Sequence, residues 1–299
     1  MQKRFQISRD IMTEKELLEP GALSCQGCGA SLAMKLALKG LGERTIIVIP
    51  ACCWSIIVGV YPYSALRVPV LHVPFASAAV CASGVRAGLD TRGEKDVVVM
   101  AWAGDGGTYD IGIQSLSGAA ERNEDILYVC YDNEAYMNTG TQRSSATPLG
   151  AWTSTTPAGA VKVEPKKDLE KIMQSHYIPY IATASVAYPD DMVRKFQKSR
   201  HITGTRFIHI LSPCPPGWQT DPGKAIQVTR MAKQARIFPL YEIENDMTTM
   251  NVLPDKEITV QEYVQAQGRF RYMNQEMIQL LQSQVERKWR ELLHEAERD

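Results

Sequence analysis

Residues 103–107, Ala-Gly-Asp-Gly-Gly, and residues 132–138, Asp-Asn-Glu-Ala-Tyr-Met-Asn, decide how this chain is read. The run leading into the first, Asp96 to Ala103 (DVVVMAWA), is apolar and β-branched, long enough for a buried strand and too short for an independent helix. It ends in Gly104-Asp105-Gly106-Gly107, where glycines permit unusual backbone angles and close approach of a ligand. Ile113, Leu116 and Ala120 follow at helical spacing, and Ile126 to Tyr131 (ILYVCY) makes a second apolar strand. Strands joined by such a crossover run parallel, so Asp105 and Asn133 both fall just past the carboxyl ends of strands in one sheet. Open α/β sheets bind ligands at that edge. A carboxylate, an amide oxygen and a nearby backbone carbonyl are hard oxygen donors, suited to a small cation that keeps its other positions for phosphate oxygens. A turn or a helix cap would explain either motif alone. The pair, twenty-eight residues apart from Asp105 to Asn133, points to an enzyme.

The same alternation of strand and helix patterns runs from residue 20 to about 220, with strands expected near 45–49, 96–103, 126–131, 179–184 and 206–211. It predicts a doubly wound, mostly parallel α/β sheet followed by a helical C-terminal tail. The organisation expected is an N-terminal arm (1–20), a ligand-binding domain (21–239) and a C-terminal extension (240–299). From Leu240 to Pro254 the pattern is irregular; beyond it Met277, Leu281, Val285, Trp289 and Leu292 form an apolar stripe at helical spacing. That stripe fits docking on this chain's own sheet or on a partner. Thr139 to Gly159 is rich in Ser, Thr, Gly and Pro, and is too long for a mere connector. It is expected to cover the site and meet a partner, with Arg143 and Thr147 facing that interface.

Composition sets outer bounds. At 299 residues, 44% hydrophobic and 22% charged, the chain can bury a substantial core. Its 33 basic and 33 acidic residues cancel, which argues against nucleic acid or a membrane surface as partner. The basic cluster Arg194 to Arg200 lacks interleaved stacking aromatics beyond Phe196 and reads as a solvated helix face. The longest apolar runs are too short and broken to span a bilayer and no apolar leader is visible, so a cytoplasmic location is expected. His72, His176, His201, His209 and His294 lie in no arrangement with a nucleophile, giving hydrolase chemistry little support.

Seven cysteines stand at 25, 28, 52, 53, 81, 130 and 214. In a cytosolic chain they do not suggest disulfides. Cys25-Gln26-Gly27-Cys28 by itself fits a zinc half-site, a redox pair or an iron-sulfur half-site. Cys52 and Cys53 follow a strand-like run, and Cys214 lies in a proline-rich loop after another, so these can point into a shared site. Cys81 and Cys130 sit inside helix and strand patterns and read as small buried hydrophobes.

The runs CQGCGASLAMKLALKGLG (25–42), IPACCWS (49–55), WAGDGGTYDIGIQSLSGAAERN (102–123), YDNEAYMNTGTQRSSATP (131–148) and ILSPCPPGW (210–218) resemble the thiamine-diphosphate-binding β subunit of 2-oxoacid:ferredoxin oxidoreductases, closest to the pyruvate type. Gln267-Gly268-Arg269-Phe270 resembles the tail of such subunits. The resemblance implies that Cys25, Cys28, Cys53 and Cys214 hold a [4Fe-4S] cluster, with Cys53 favoured over Cys52 by alignment. It implies that Asp105, Asn133 and the carbonyl of Ala135 hold Mg2+, that Gly104, Gly106 and Gly107 let the backbone approach the diphosphate, and that Asn138 donates to it. Ala30 stands where some relatives carry an acidic cofactor contact.

The implied reaction is oxidative decarboxylation of a 2-oxoacid to acyl-CoA, with CO2 released and electrons passed singly through the cluster to ferredoxin. The glutamate that activates the cofactor has no candidate in these motifs and is expected on an α subunit, so the chain alone should be inactive. Further clusters belong on γ- or δ-type subunits, because no Cys-x-x-Cys-x-x-Cys run is present. GDGGTYDIGIQ (104–114) resembles the pyruvate type more than the 2-oxoglutarate type; branched-chain, aryl and oxalate substrates remain open, as does the final electron acceptor. A non-oxidative thiamine enzyme would leave the four cysteines without a role, and a cluster-bearing scaffold would leave the metal-diphosphate pattern without one.

Overall fold

The computed structural model describes residues 15–297; most of the N-terminal arm expected over 1–20 lies outside them. Eight strands form one sheet: β1 (Thr45–Pro50), β2 (Val70–Val73), β3 (Val98–Gly104), β4 (Leu127–Asp132), β5 (Tyr180–Ser185), β6 (Arg206–Leu211), β7 (Leu240–Glu244) and β8 (Met247–Val252). Their order is β2-β1-β3-β4-β6-β5-β7-β8. The first six are parallel, and β7 and β8 add an antiparallel hairpin at one edge. β4, β5 and β6 are buried along their whole length, as strands covered on both faces must be.

On one face lie α1 (Gly29–Leu41) and α6 (Pro189–Ser199), burying Met34, Ala37, Leu41, Met192 and Phe196 against Ile47, Met100 and Val129. On the other lie α3 (Ala78–Thr91) and α4 (Ile113–Glu121), placing Ala79, Ala82, Leu116 and Ala120 against Val99, Ala101 and Tyr128. The short helices are α2 (Trp54–Ile57), α5 (Leu169–Gln174) and α7 (Pro215–Trp218); α8 (Ala225–Gln234), α9 (Val260–Gln265) and α10 (Gln275–Glu297) complete the chain.

All five expected strands are present within about two residues, but three others departed from the expectation. β2 is a four-residue edge strand with outward-facing residues, too short to show a pattern. The stretch read as irregular from Leu240 is the β7–β8 hairpin, in which Leu240 and Ile243 are buried while threonine and asparagine occupy much of the outer strand. The helical tail exists, and its docking is now defined. α10 lies across β8, with Val285, Trp289 and Leu292 buried against this chain's own core.

Candidate functional site

β3 and β4 are neighbours, with Gly104 opposite Tyr131, so Asp105 and Asn133 emerge side by side at the carboxyl edge of the sheet. Both are buried, Asp105 to 1% exposure. One terminal atom of the Asn133 amide lies 2.9 Å from Asp105 Oδ1 and 2.9 Å from the Ala135 carbonyl oxygen. Turned with nitrogen inward, the amide donates to both; turned with oxygen inward, three oxygens converge and only a cation would hold them. An octahedral cation with oxygens at about 2.1 Å spaces neighbouring ligand oxygens about 3 Å apart.

Asp105 has no cation in direct contact, Lys166 acting on it only from a distance. Among the described residues it forms no ion pair, and its hydrogen-bond donor is the Ser144 hydroxyl at 2.5 Å. Burial, with the Asp132 carboxylate close by, pushes the Asp105 carboxyl well above the usual carboxylate range. A buried carboxylate in that position is stabilised by a bound cation. Among the described residues no three His, Cys, Asp or Glu side chains, the cysteines included, stand close enough together as placed to form a ready metal site. The groups that face one another here are one carboxylate, one amide and one backbone carbonyl.

After Asp105 the chain makes a π-helical turn, Gly106–Ile111, before α4 begins. Such turns are rare and often mark functional sites. A Cβ on Gly106 would lie 2.3 Å from the Tyr136 ring, so only glycine lets Tyr136 fold over the loop, where its hydroxyl donates to Asp110 Oδ2 at 2.7 Å. A cavity of about 160 Å3 is walled by Gly104, Asp105, Gly106, Gly107, Asn133 and Asn138, with Cys52, Phe75, Tyr131 and Met137 as its apolar side.

A second cavity, of about 250 Å3, shares Cys53, Asn133, Met137 and Asn138 with the first. Cys25, Cys28, Cys53 and Cys214 all line it, although they come from three loops. Gly29 joins two of these loops: its N–H donates to the Pro213 carbonyl at 2.9 Å, and a Cβ there would lie 2.3 Å from the Pro213 ring. Burial and the neighbouring Cys214 thiol push the Cys53 thiol up to about 12; burial and Cys28 push Cys214 up to about 11. As placed these groups are therefore neutral thiols, and a positively charged partner would be needed to hold them as thiolates. Ser212 Oγ, buried and without a hydrogen-bond partner among the described residues, lines the same cavity. Cys52 lines the first cavity and interacts with Tyr131. All seven cysteines are free thiols; Cys130 is buried and Cys81 half-buried.

The sequence gives no sign of the buried charges behind the 132–138 loop. Asp132 Oδ2 accepts from Lys166 Nζ at 2.5 Å and meets His209 Nε2 at 2.8 Å, and His209 Nδ1 is bonded to Glu170. Burial opposes a charge on His209, but Glu170 and Asp132 outweigh it and raise its pKa to about 9. Burial also opposes ionisation of Asp132, yet Lys166 and His209 hold it below its ordinary value. Glu134 accepts from Lys166 at 3.0 Å and from Arg269 at 2.6 Å. No spacing rule links residues 132, 134, 166, 209 and 269, so only the fold could reveal them. A larger cavity, about 480 Å3, lies under α10 and reaches His209 and Glu170, but most of its charged lining is paired internally.

Residues 139–159 fold back over this edge. Ser144 reaches Asp105, and Lys162 Nζ donates to the Thr147 carbonyl at 2.6 Å. Thr147, expected at an interface, is instead fully buried, its hydroxyl donating to the Glu134 carbonyl at 2.8 Å. The polar hydroxyl is needed inside, to hold the 132–138 loop. Arg143 is on the surface and pairs with Glu164.

Residues 56–210 match the thiamine pyrophosphate enzyme, C-terminal TPP binding domain family, which gives the class: a thiamine-diphosphate-binding α/β domain. Ketoisovalerate oxidoreductase subunit VorB of Pyrococcus horikoshii is 48% identical over 287 residues, covering 93% of this chain and 92% of that protein. Pyruvate synthase subunit PorB of Methanothermobacter marburgensis is 46% identical over 282 residues, covering 93% and 98%. This chain therefore belongs to the β subunits of 2-oxoacid:ferredoxin oxidoreductases. The 2-oxoglutarate:ferredoxin oxidoreductase from Magnetococcus marinus, solved with 2-oxoglutarate, coenzyme A and succinyl-CoA bound, shares the fold: TM-score 0.57 over 72% of this chain and 79% of that one, at 22% identity.

Proposed function

We propose that this subunit carries thiamine diphosphate, Mg2+ and the proximal [4Fe-4S] cluster for oxidative decarboxylation of a 2-oxoacid with an apolar tail, pyruvate first, to acyl-CoA, CO2 and reduced ferredoxin. The observation that carries the reading is the shared wall: four cysteines line one cavity, the Asp105–Asn133 edge lines the next, and Cys53, Asn133 and Asn138 border both. When bound, the thiamine cofactor supplies an electron sink for decarboxylation, Mg2+ neutralises its diphosphate, and the cluster takes electrons singly.

The chain's own residues bind and orient. Asp105, Asn133 and the Ala135 carbonyl hold the cation, Gly104, Gly106 and Gly107 present backbone to the diphosphate, Asn138 donates to it, and Cys25, Cys28, Cys53 and Cys214 hold the cluster. Phe75, Tyr131 and Met137 keep water from the space between. A cavity of 160 Å3 is too small to enclose the whole cofactor, which supports a site completed by an α-type subunit that also supplies the activating glutamate. Its lining includes no Lys, Arg or His to pair the second carboxylate of 2-oxoglutarate. A branched-chain 2-oxoacid is the second reading, favoured by the 48% identity to a ketoisovalerate oxidoreductase subunit.

Anaerobic purification with the natural partner subunits tests this. Thiamine and iron bound in proportion to this chain, and cluster reduction on adding pyruvate and coenzyme A, are expected. Zinc in place of iron, or absence of thiamine, overturns it.

A further inference from the structure

Between the candidate cation ligands Asn133 and Ala135 sits Glu134, a buried non-glycine residue with a left-handed backbone, φ +72°. That conformation persists in a bulky residue only where its surroundings over-determine it, and here every polar atom is held. Its N–H donates to Asp132 Oδ1 at 2.8 Å, its carbonyl accepts from Thr147, and its carboxylate accepts from Lys166 and Arg269. The reversal at Glu134 brings the Ala135 carbonyl back beside the Asn133 amide.

Arg269 belongs to the Gln267-Gly268-Arg269-Phe270 segment, far along the chain and outside the site. It is 2% exposed. Its Nε donates to Gln267 Oε1 at 2.9 Å, and its guanidinium lies 4.2 Å from the Trp218 ring centre and 4.8 Å from that of Phe270. Trp218 in turn donates through Nε1 to the Asn133 carbonyl at 2.8 Å. Arg269 thus holds the side chain between the two candidate ligands and Trp218 the carbonyl of the first, and Trp218 ends the short helix that Cys214 precedes.

We infer that Arg269 is a positioning residue that sets cation affinity by holding Glu134 in its left-handed turn. The planar, two-sided guanidinium is suited to this: it stacks and donates at once, which a lysine cannot. Lys166 cannot replace it, being shared with Asp132.

The inference rests on the cation site proposed above, and the test separates the two. In the assembled oxidoreductase, stripped of cation and saturated with thiamine diphosphate, Mn2+ binding is followed by paramagnetic resonance. Wild type binds Mn2+ and D105N loses it; if D105N binds as wild type does, the cation site and this inference both fall. R269Q is expected to weaken Mn2+ binding by about tenfold or more, the usual scale for residues that orient metal ligands. Activity lost at low cation should return at high cation. Glycine adopts positive φ without strain, so E134G/R269Q should recover most of the affinity. Unchanged Mn2+ affinity in R269Q, or a loss that E134G does not rescue, overturns the inference. If R269Q does not assemble, R269K carries the same comparison, because it keeps the charge and loses the fork.

Discussion

Cys52 and Cys53 are adjacent and both line the first cavity, yet only Cys53 also lines the second. Cys53 lines the space shared by Cys25, Cys28 and Cys214, and Cys52 faces Tyr131. In the proposed cluster site, Cys53→Ser should therefore lose most of the bound iron while Cys52→Ser keeps it; equal iron loss in both variants would sink the assignment. His209 offers a separate test at the same scale. Its pKa is raised from 6.5 to about 9, so its ion pairs with Glu170 and Asp132 stabilise the fold fully below pH 6.5 and fade as pH rises through 9. Lys162 works in the opposite sense: burial lowers its pKa from 10.5 to about 8, a cost that is relieved as pH rises. Comparing wild type with His209→Gln removes that common background. Thermal melts from pH 6 to 9.5 should show a stability difference of a few kcal/mol at the acid end that narrows toward the alkaline end; parallel curves would refute it.

At the scale of elements, the expectations that held were the ones backed by long, uniformly buried runs. β3 and β4 have no exposed positions apart from the partly covered Gly104, so composition alone marks them. β2 and β8 lie at sheet edges, where one face needs no apolar residues and the pattern thins out. α10 shows the opposite ambiguity: its apolar stripe was plain, but a stripe does not name its partner. Tertiary structure supplies it, with Trp289 buried beside the β7–β8 hairpin and Arg236 stacked 5.3 Å from its ring centre. Trp289→Ala should cost about 3 kcal/mol, the usual loss for a buried aromatic. A melting temperature unchanged from wild type would mean that the helix contributes nothing to the isolated fold.

For the molecule as a whole, the sheet gathers the candidate site along one edge. The described residues contain no helix long and apolar enough to cross a membrane, and relatives named as subunits VorB and PorB match this chain over nine-tenths of its length. In the proposed assembly, pyruvate and 2-ketoisovalerate should each exceed 2-oxoglutarate by more than about tenfold in kcat/KM, because the second carboxylate would be buried unpaired. Steady-state comparison of the three acids measures this, and comparable values would show that another subunit supplies the missing cation.

The sequence by itself determined the parallel sheet and the residues at its carboxyl edge. Apolar runs joined by helical crossovers mark neighbouring parallel strands, and glycines flanking Asp105 together with Asn133 one crossover later leave few other readings. The cysteines, too, were legible as residue types on loops. The resemblance implied which of them meet, but no spacing in the chain does: Cys25, Cys53 and Cys214 come to line one cavity through chain crossings that only the tertiary structure lays out. The same holds for the buried frame of Asp132, Glu134, Lys166, His209 and Arg269. Charges are readable in sequence as surface by default, and it is burial against one another, created when distant segments close over the 132–138 loop, that turns them into structure.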